Sequence, residues 1–231
     1  MTDADALLMA VLAAPRDDLP RLVFADWLEE TGAAANVARA EYIRSQCESA
    51  REETADAKGR ELHLLALYGT AWLAPLRARG EALASPATHA QFHRGFVEVV
   101  WMPAGAFVHH GAKLLAKAPV RELRVMQSGW SELRNLFLSP ELARLETLDL
   151  SDRKLGHALA RLVAQSPLAW NLKRLRLRAC GLGGPGAELL AEAAPHWPLA
   201  ELDVSLNPMP HEGLELLLRA FGPAVRFEGR G

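Results

Sequence analysis

Between residues 120 and 204 the apolar positions recur in one pattern, Leu-x-x-Leu-x-Leu, with polar or charged residues in the places between them. Leu145-x-x-Leu148-x-Leu150, Leu172-x-x-Leu175-x-Leu177 and Leu199-x-x-Leu202-x-Val204 carry it, and Val120-x-x-Leu123-x-Val125 fits the same template. The period is 25 to 27 residues. Alternation at the end of each pattern predicts a short strand with one apolar face, and the stretch after it predicts a helix that returns across that face. A fixed period of this length predicts a solenoid, in which each repeat buries its apolar face only against its neighbours.

The residue between the two inward strand positions is Arg124, Asp149, Arg176 and Asp203 in successive repeats. One repeat upstream, Val97-Glu98-Val99 follows Arg94-Gly95-Phe96, and one repeat downstream stands Val225-Arg226-Phe227 as a truncated last strand. The series Glu98, Arg124, Asp149, Arg176, Asp203, Arg226 alternates in sign throughout. In a parallel stack, strands about 4.8 Å apart make these side chains lateral neighbours, where opposite charges attract. Six strands with a charge ladder on the concave face are therefore expected. Arg174 and Arg178 flank Arg176, with Arg121 and Lys173 near the strand starts, so a modest basic spot is expected mid-face.

Residues 1–90 lack this period and read as helices. Thr2-x-x-Asp5 has the form of a capping box opening a helix to Ala13 or Ala14. Pro20, behind Asp17 and Asp18, suits the start of a second helix that turns Leu22, Val23, Trp27 and Leu28 to a core and stops at Gly32. A third helix is expected from about Asn36 toward Lys58, with Val37, Tyr42, Ile43 and Cys47 on its inner face and Glu48, Arg51, Glu52 and Glu53 in solvent. A fourth segment, Arg60–Tyr68 with Trp72-Leu73 behind it, is expected to pack onto the start of the repeats.

The block Leu7-Leu8…Pro15…Arg21-Leu-Val-Phe-Ala-Asp-Trp-Leu-Glu-Glu30-x-Gly32…Ala40-Glu-Tyr-Ile-Arg-x-Gln46 resembles the bacterial repeat-companion domain, a short helical module found at the N-terminus of many leucine-rich repeat proteins. The resemblance covers roughly residues 1–50 and departs at Ala33-Ala34-Ala35, where that family has an Asp-Pro-like turn. It implies no catalytic residues. The later repeats resemble the ribonuclease-inhibitor type of leucine-rich repeat, best seen in Leu175-x-Leu177-x-x-Cys180-x-Leu182 with Leu189-Leu190 beyond. Asn207 takes the Cys180 position in the next repeat. Arg153 takes it in the preceding one, and because it cannot accept a hydrogen bond it should loosen that turn or push it toward solvent. Trp170 and Trp197 share one repeat position and are expected to stack, while Trp130 matches Leu155 and Leu182 and is expected in the core.

Composition narrows the classes. Half of the 231 residues are apolar and the formal net charge is -2, which speaks against a general nucleic-acid binder. The two cysteines, Cys47 and Cys180, suit a reducing compartment and build no zinc cluster. The acidic start and short apolar run Leu7–Ala14 are expected to be an amphipathic helix and not an export signal, and no run is long enough for a bilayer, so a cytoplasmic protein without membrane contact is expected. His89-x-x-x-His93 has helical metal spacing without a third ligand, His109-His110 reads as a solvated helix face, and Gly181-Leu-Gly-Gly-Pro-Gly186 lacks the Lys-Ser/Thr of a phosphate loop. Asp26, Glu29 and Glu30 read as the exposed side of a core helix, with Asp26 bonded across to Arg21 or Arg39.

The expected architecture is an α/β leucine-rich repeat solenoid over residues 91–231, of five to six repeats with parallel strands on the concave face and helices on the convex face. An N-terminal all-helical cap spans residues 1–90. The expected function is a non-enzymatic protein-interaction or scaffold module without cofactor or metal. Its protein partner would be met on the concave face by Arg174, Arg176, Arg178, Arg124, Asp149 and Asp203. The alternative is a regulatory or targeting subunit that recognises an anionic ligand through the same arginines. The edge strand at Val225–Phe227 is a candidate for self-association.

Overall fold

A computed structural model describes residues 2–52, 54–76 and 90–229. The chain is α/β, with seven strands in chain order in a mostly parallel sheet and nine α-helices among the described residues. Two compact units divide it, one of residues 1–100 and 112–120, the other of residues 101–111 and 121–231. No helix among the described residues is long and apolar enough to cross a membrane.

The first unit opens with α1 (Asp3–Ala13), α2 (Leu19–Glu30), α3 (Ala34–Ser49) and α4 (Ala55–Leu73). Thr2 and Asp5 form the capping box of α1, Pro20 lies in the first turn of α2, and Gly32 follows α2 at φ +70°. The third helix is shorter than the sequence suggests: α3 ends at Ser49, and α4 begins only after Thr54, whose hydroxyl accepts from the Ala57 N–H. Val11, Ala25, Leu28, Ala40, Ile43, Cys47 and Phe96 form the core, with Leu22 and Trp27 packed against it. Val23 and Val37, expected inside, are exposed. The expectation for Glu53 lies outside the described residues.

This unit is not purely helical. β1 (Ala90–His93) and β2 (Phe96–Met102) pair antiparallel, so the strand holding Glu98 begins in a hairpin and not in a parallel repeat. His93 sits in β1 and not in an entry loop, while His89 lies outside the described residues. The two turn residues, Arg94 at φ +47° and Gly95 at φ +81°, have the left-handed pair that a tight hairpin requires.

The helical block supplies the polar partners of this hairpin. Gln46 Oε1 accepts from the Gly95 N–H at 2.9 Å. Arg21 has no solvent exposure and donates to the Pro15, His93 and Arg94 carbonyls and to Glu98 at 2.6 Å. Glu98 is therefore a buried ion-pair partner, 3 % exposed, and not the first rung of an exposed charge ladder. An isolated buried carboxylate costs several kcal/mol, so these two positions stabilise the fold only together. Asp26 pairs with neither Arg21 nor Arg39. It shares Arg44 with Glu29, at 2.7 and 2.6 Å.

The second unit carries β3 (Glu122–Val125), β4 (Thr147–Asp149), β5 (Arg174–Arg176), β6 (Glu201–Asp203) and β7 (Val225–Arg226), each parallel to the next. Leu123, Leu148, Leu175 and Leu202 are in register across the strands and fully buried. Helices α5 (Ala104–Leu115), α6 (Trp130–Leu136), α7 (Gly156–Ala164), α8 (Gly183–Ala193) and α9 (His211–Phe221) separate the strands, and a short 3-10 segment leads into each of β4 to β7.

The loops after β4, β5 and β6 repeat one geometry. Asp152, Ala179 and Leu206 hold φ at +63°, +53° and +57°, an arrangement non-glycine residues rarely adopt. The next residue then reaches back to the carbonyl that ends the preceding strand. Arg153 Nη2 donates to Val125 O, Cys180 Sγ to Leu150 O at 3.2 Å, and Asn207 Nδ2 to Leu177 O at 2.8 Å. Arg153 keeps the donor half of the interaction, and its turn lies nearer solvent than those of the buried Cys180 and Asn207, the second of the two outcomes expected. Asn207 adds the acceptor half, taking the Cys180 and Leu182 N–H groups at 2.9 and 3.1 Å.

The tryptophans differ from expectation. Trp130 is 42 % exposed at the start of α6. Trp170 stacks on His196 at 5.0 Å between centroids and not on Trp197, which is buried.

Candidate functional site

Strand alternation decides what reaches the polar face of the second unit. With Leu123, Leu148, Leu175 and Leu202 turned inward, their neighbours on either side turn out. One row is Glu122, Thr147, Arg174 and Glu201, and the next is Arg124, Asp149, Arg176, Asp203 and Arg226. The alternating ladder is present in the register from Arg124 to Arg226, where each charge has its opposite as backbone neighbour.

The ion pairs run diagonally more than along that ladder. Arg176 meets Glu122 at 2.9 Å and Glu201 at 3.4 Å, whereas Asp149 in its own row is 4.0 Å away. Arg124 pairs with Glu122 at 2.5 Å and lies over the Trp101 ring at 4.5 Å. Arg226 meets Glu201 at 3.4 Å. Asp149 and Asp203 turn their Oδ1 atoms to the Ser151 and Ser205 N–H groups, both at 2.9 Å, and so cap the turns that leave their strands. A long arginine reaches a strand beyond its neighbour, while a short aspartate bonds its own backbone first.

The remaining predicted contacts fall on the same face. Arg174 donates to Thr147 Oγ1 at 3.0 Å, and Arg178 pairs with Glu228 at 3.2 Å. At the strand starts Arg121 and Lys173 share Glu146. Arg124, Arg174, Arg176, Arg178 and Arg226 thus stand among Glu122, Asp149, Glu201, Asp203 and Glu228, as many carboxylates as guanidiniums. Among the described residues these ten side chains leave no net basic spot at the centre.

The electrostatics follow from these pairs. Burial penalises the Glu122 carboxylate, but the hydrogen bonds and charges of Arg124 and Arg176 outweigh that and hold its pKa below the ordinary value. Burial likewise opposes the Arg176 charge, and Glu122, Glu201 and Asp149 together outweigh it and raise its pKa. Reading the sequence row by row missed Glu122 and Glu201. The signal was present in their spacing of two residues before Arg124 and Asp203, which places them on the same face.

Such an array can present a fixed pattern of alternating charge to a complementary surface. Among the described residues no group of three or more His, Cys, Asp or Glu side chains is placed to hold a metal. His109 is exposed and its Nδ1 lies 2.9 Å from the Gly105 carbonyl one turn back. Burial pushes the Cys47 and Cys180 thiols up to about 11, which suits packing more than nucleophilic chemistry. No family model, no curated protein and no solved structure matches this chain.

Proposed function

We propose that the chain is a leucine-rich repeat protein, its N-terminal helices a repeat-companion module, and that the polar face of β3–β7 docks a protein partner. The in-register leucines, the recurring left-handed turn residue and the donor that follows it support the repeat assignment.

The observation that carries the functional reading is the engagement of Arg176 by Glu122, Glu201 and Asp149. Charges already held by one another are preorganised, so a partner with the matching pattern meets them without having to order them first. The same engagement weighs against the anionic alternative, because Arg124, Arg176 and Arg178 would each have to exchange a carboxylate of their own chain for the ligand. Contact by such a surface is governed by the fit of the pattern and not by net charge.

The test uses Arg178 and Arg226, whose side chains are 41 % and 69 % exposed; because Arg226 shares Glu201 with Arg176, the single variant Arg178→Glu, whose partner Glu228 lies outside that cluster, accompanies the double one. The double variant Arg178→Glu/Arg226→Glu, shown folded by circular dichroism, is compared with wild type in capture from cell extract followed by reconstitution with the purified partner. Loss of one defined protein supports the reading. Equal recovery by both proteins removes this face as the contact.

A further inference from the structure

Within the first unit, helix α3 places Arg39 against a cavity of about 520 Å³. Its walls are mostly apolar, with Leu8, Phe24, Trp72, Leu76 and Phe92 among them. The guanidinium carbon lies 4.7 Å from the Trp72 ring centroid, 4.9 Å from Phe92 and 5.6 Å from Phe96. These rings fix its plane by cation–π contact.

No carboxylate is paired with Arg39 among the described residues, and its Nη1 is closed off from solvent without a hydrogen-bond partner. Trp72 Nε1, on the ring beside the guanidinium, is in the same state. Arg21 provides the internal comparison: it also lies by Phe96, at 5.3 Å, but Glu98 neutralises it. Burial accordingly lowers the Arg39 pKa to about 10. The other polar lining side chains each have a partner within the chain. Asp5 accepts from the Thr2 N–H, Asn36 donates to Thr31 Oγ1, and Lys117 Nζ donates to the Pro75 carbonyl. Two buried donors lacking acceptors, one of them a cation, are costly unless a ligand supplies the acceptor.

We propose that this cavity binds a small carboxylate with an apolar body. The carboxylate accepts from Arg39 and Trp72, and the hydrocarbon part lies against the aromatic wall. A guanidinium fork suits the two oxygens of a carboxylate, and the volume is that of an ordinary small-ligand site. A phosphate dianion fits less well, because Arg39 and Trp72, even with the exposed Lys117 beside them, leave part of its acceptors unsatisfied against mostly apolar walls. The carboxylate could be that of a free acid or the C-terminus of a polypeptide ending in an apolar residue. The site is independent of the sheet face, and neither reading falls with the other.

The test is calorimetric titration of the full chain with 4-phenylbutyrate, with uncharged 4-phenylbutan-1-ol, and with a short peptide ending in Phe, either free or amidated at its C-terminus. Saturable binding of the acid, about tenfold or more weaker for the alcohol, is expected. Arg39→Gln should lose at least about tenfold in affinity. Ala71→Trp, at an exposed position on the lining, should block the mouth with Arg39 intact, and it decides the matter should Arg39→Gln fail to fold. Binding of the free but not the amidated peptide assigns the site to polypeptide C-termini. Binding of phenylbutyrate alone assigns it to small acids. Absence of saturable binding by both acids, or equal binding by wild type and Ala71→Trp, overturns the proposal.

Discussion

Removing the Asn207 side chain tests the physical account of the loops most directly. Asn207 is 3 % exposed, and its Nδ2 donates to the Leu177 and Val204 carbonyls, both at 2.8 Å, while Oδ1 takes the Cys180 and Leu182 N–H groups. Asn207→Ala strips a partner from four backbone groups in a buried loop. Each such group costs about 1–3 kcal/mol when left dry. Water entering the vacated space recovers part of this, so a net loss of about 3 kcal/mol is expected. In a chain of this size that lowers the melting midpoint by roughly 6–12 °C. The homologous Arg153→Ala removes donors only, on a less buried turn, and should cost about 1 kcal/mol. Thermal melts followed by circular dichroism, with urea titrations at one temperature, give both values. An Asn207→Ala loss no larger than that of Arg153→Ala would refute the reasoning, because the acceptor half would then contribute nothing.

Gly95→Ala should destabilise by about 3 kcal/mol in the same assay, since the added Cβ meets Ile43 Cα at 2.6 Å in a residue held at φ +81°. Ala179→Gly should instead stabilise by about 0.5–1 kcal/mol, because it relieves a left-handed alanine, and a lower melting midpoint would count against the loop description. Arg21→Met alone should cost about 3–5 kcal/mol, while Arg21→Met/Glu98→Leu should recover much of it, as measured by a double-mutant cycle. For pH, the thiols of Cys47 and Cys180 are raised from 9.0 to about 11, so the folded state holds these protons more tightly. Stability they contribute is complete below pH 9 and falls as pH rises toward 11, by up to roughly 1.4 kcal/mol per pH unit for each thiol. Glu122 acts in the other sense: Arg124 and Arg176 hold its carboxyl below the ordinary glutamate value, so its contribution is present above that value and is lost as the solution is acidified. Melting midpoints taken across pH check both signs.

Much of the second unit was legible because its determinants are local and repeated. Leu123, Leu148, Leu175 and Leu202 mark the buried strand centres through alternation, and the 25- to 27-residue period puts them in register. The capping box at Thr2 and Asp5 and the stop at Gly32 could be read for the same reason, since the groups that satisfy one another are only a few residues apart. At Arg153 the residue type foretells the more exposed turn, but not that the guanidinium reaches back to the Val125 carbonyl. Trp130 was misplaced because repeat position was taken to decide burial, and the start of α6 leaves its ring 42 % exposed.

The sequence by itself determined the period, the strand faces, the starts of α1 and α2 and the alternating charge row from Arg124 to Arg226, because each is written in spacings of one repeat or less. Only the tertiary structure decided that Glu98 is buried against Arg21, that Arg176 answers to Glu122 and Glu201 across strands, and that Arg39 Nη1 and Trp72 Nε1 are buried beside one cavity without a hydrogen-bond partner. The partners in these pairs stand 77, 54, 25 and 33 residues apart. Nothing in their local spacing encodes the pairing, since long polar side chains select partners by distance in the packed chain. Burial then makes those choices energetically decisive.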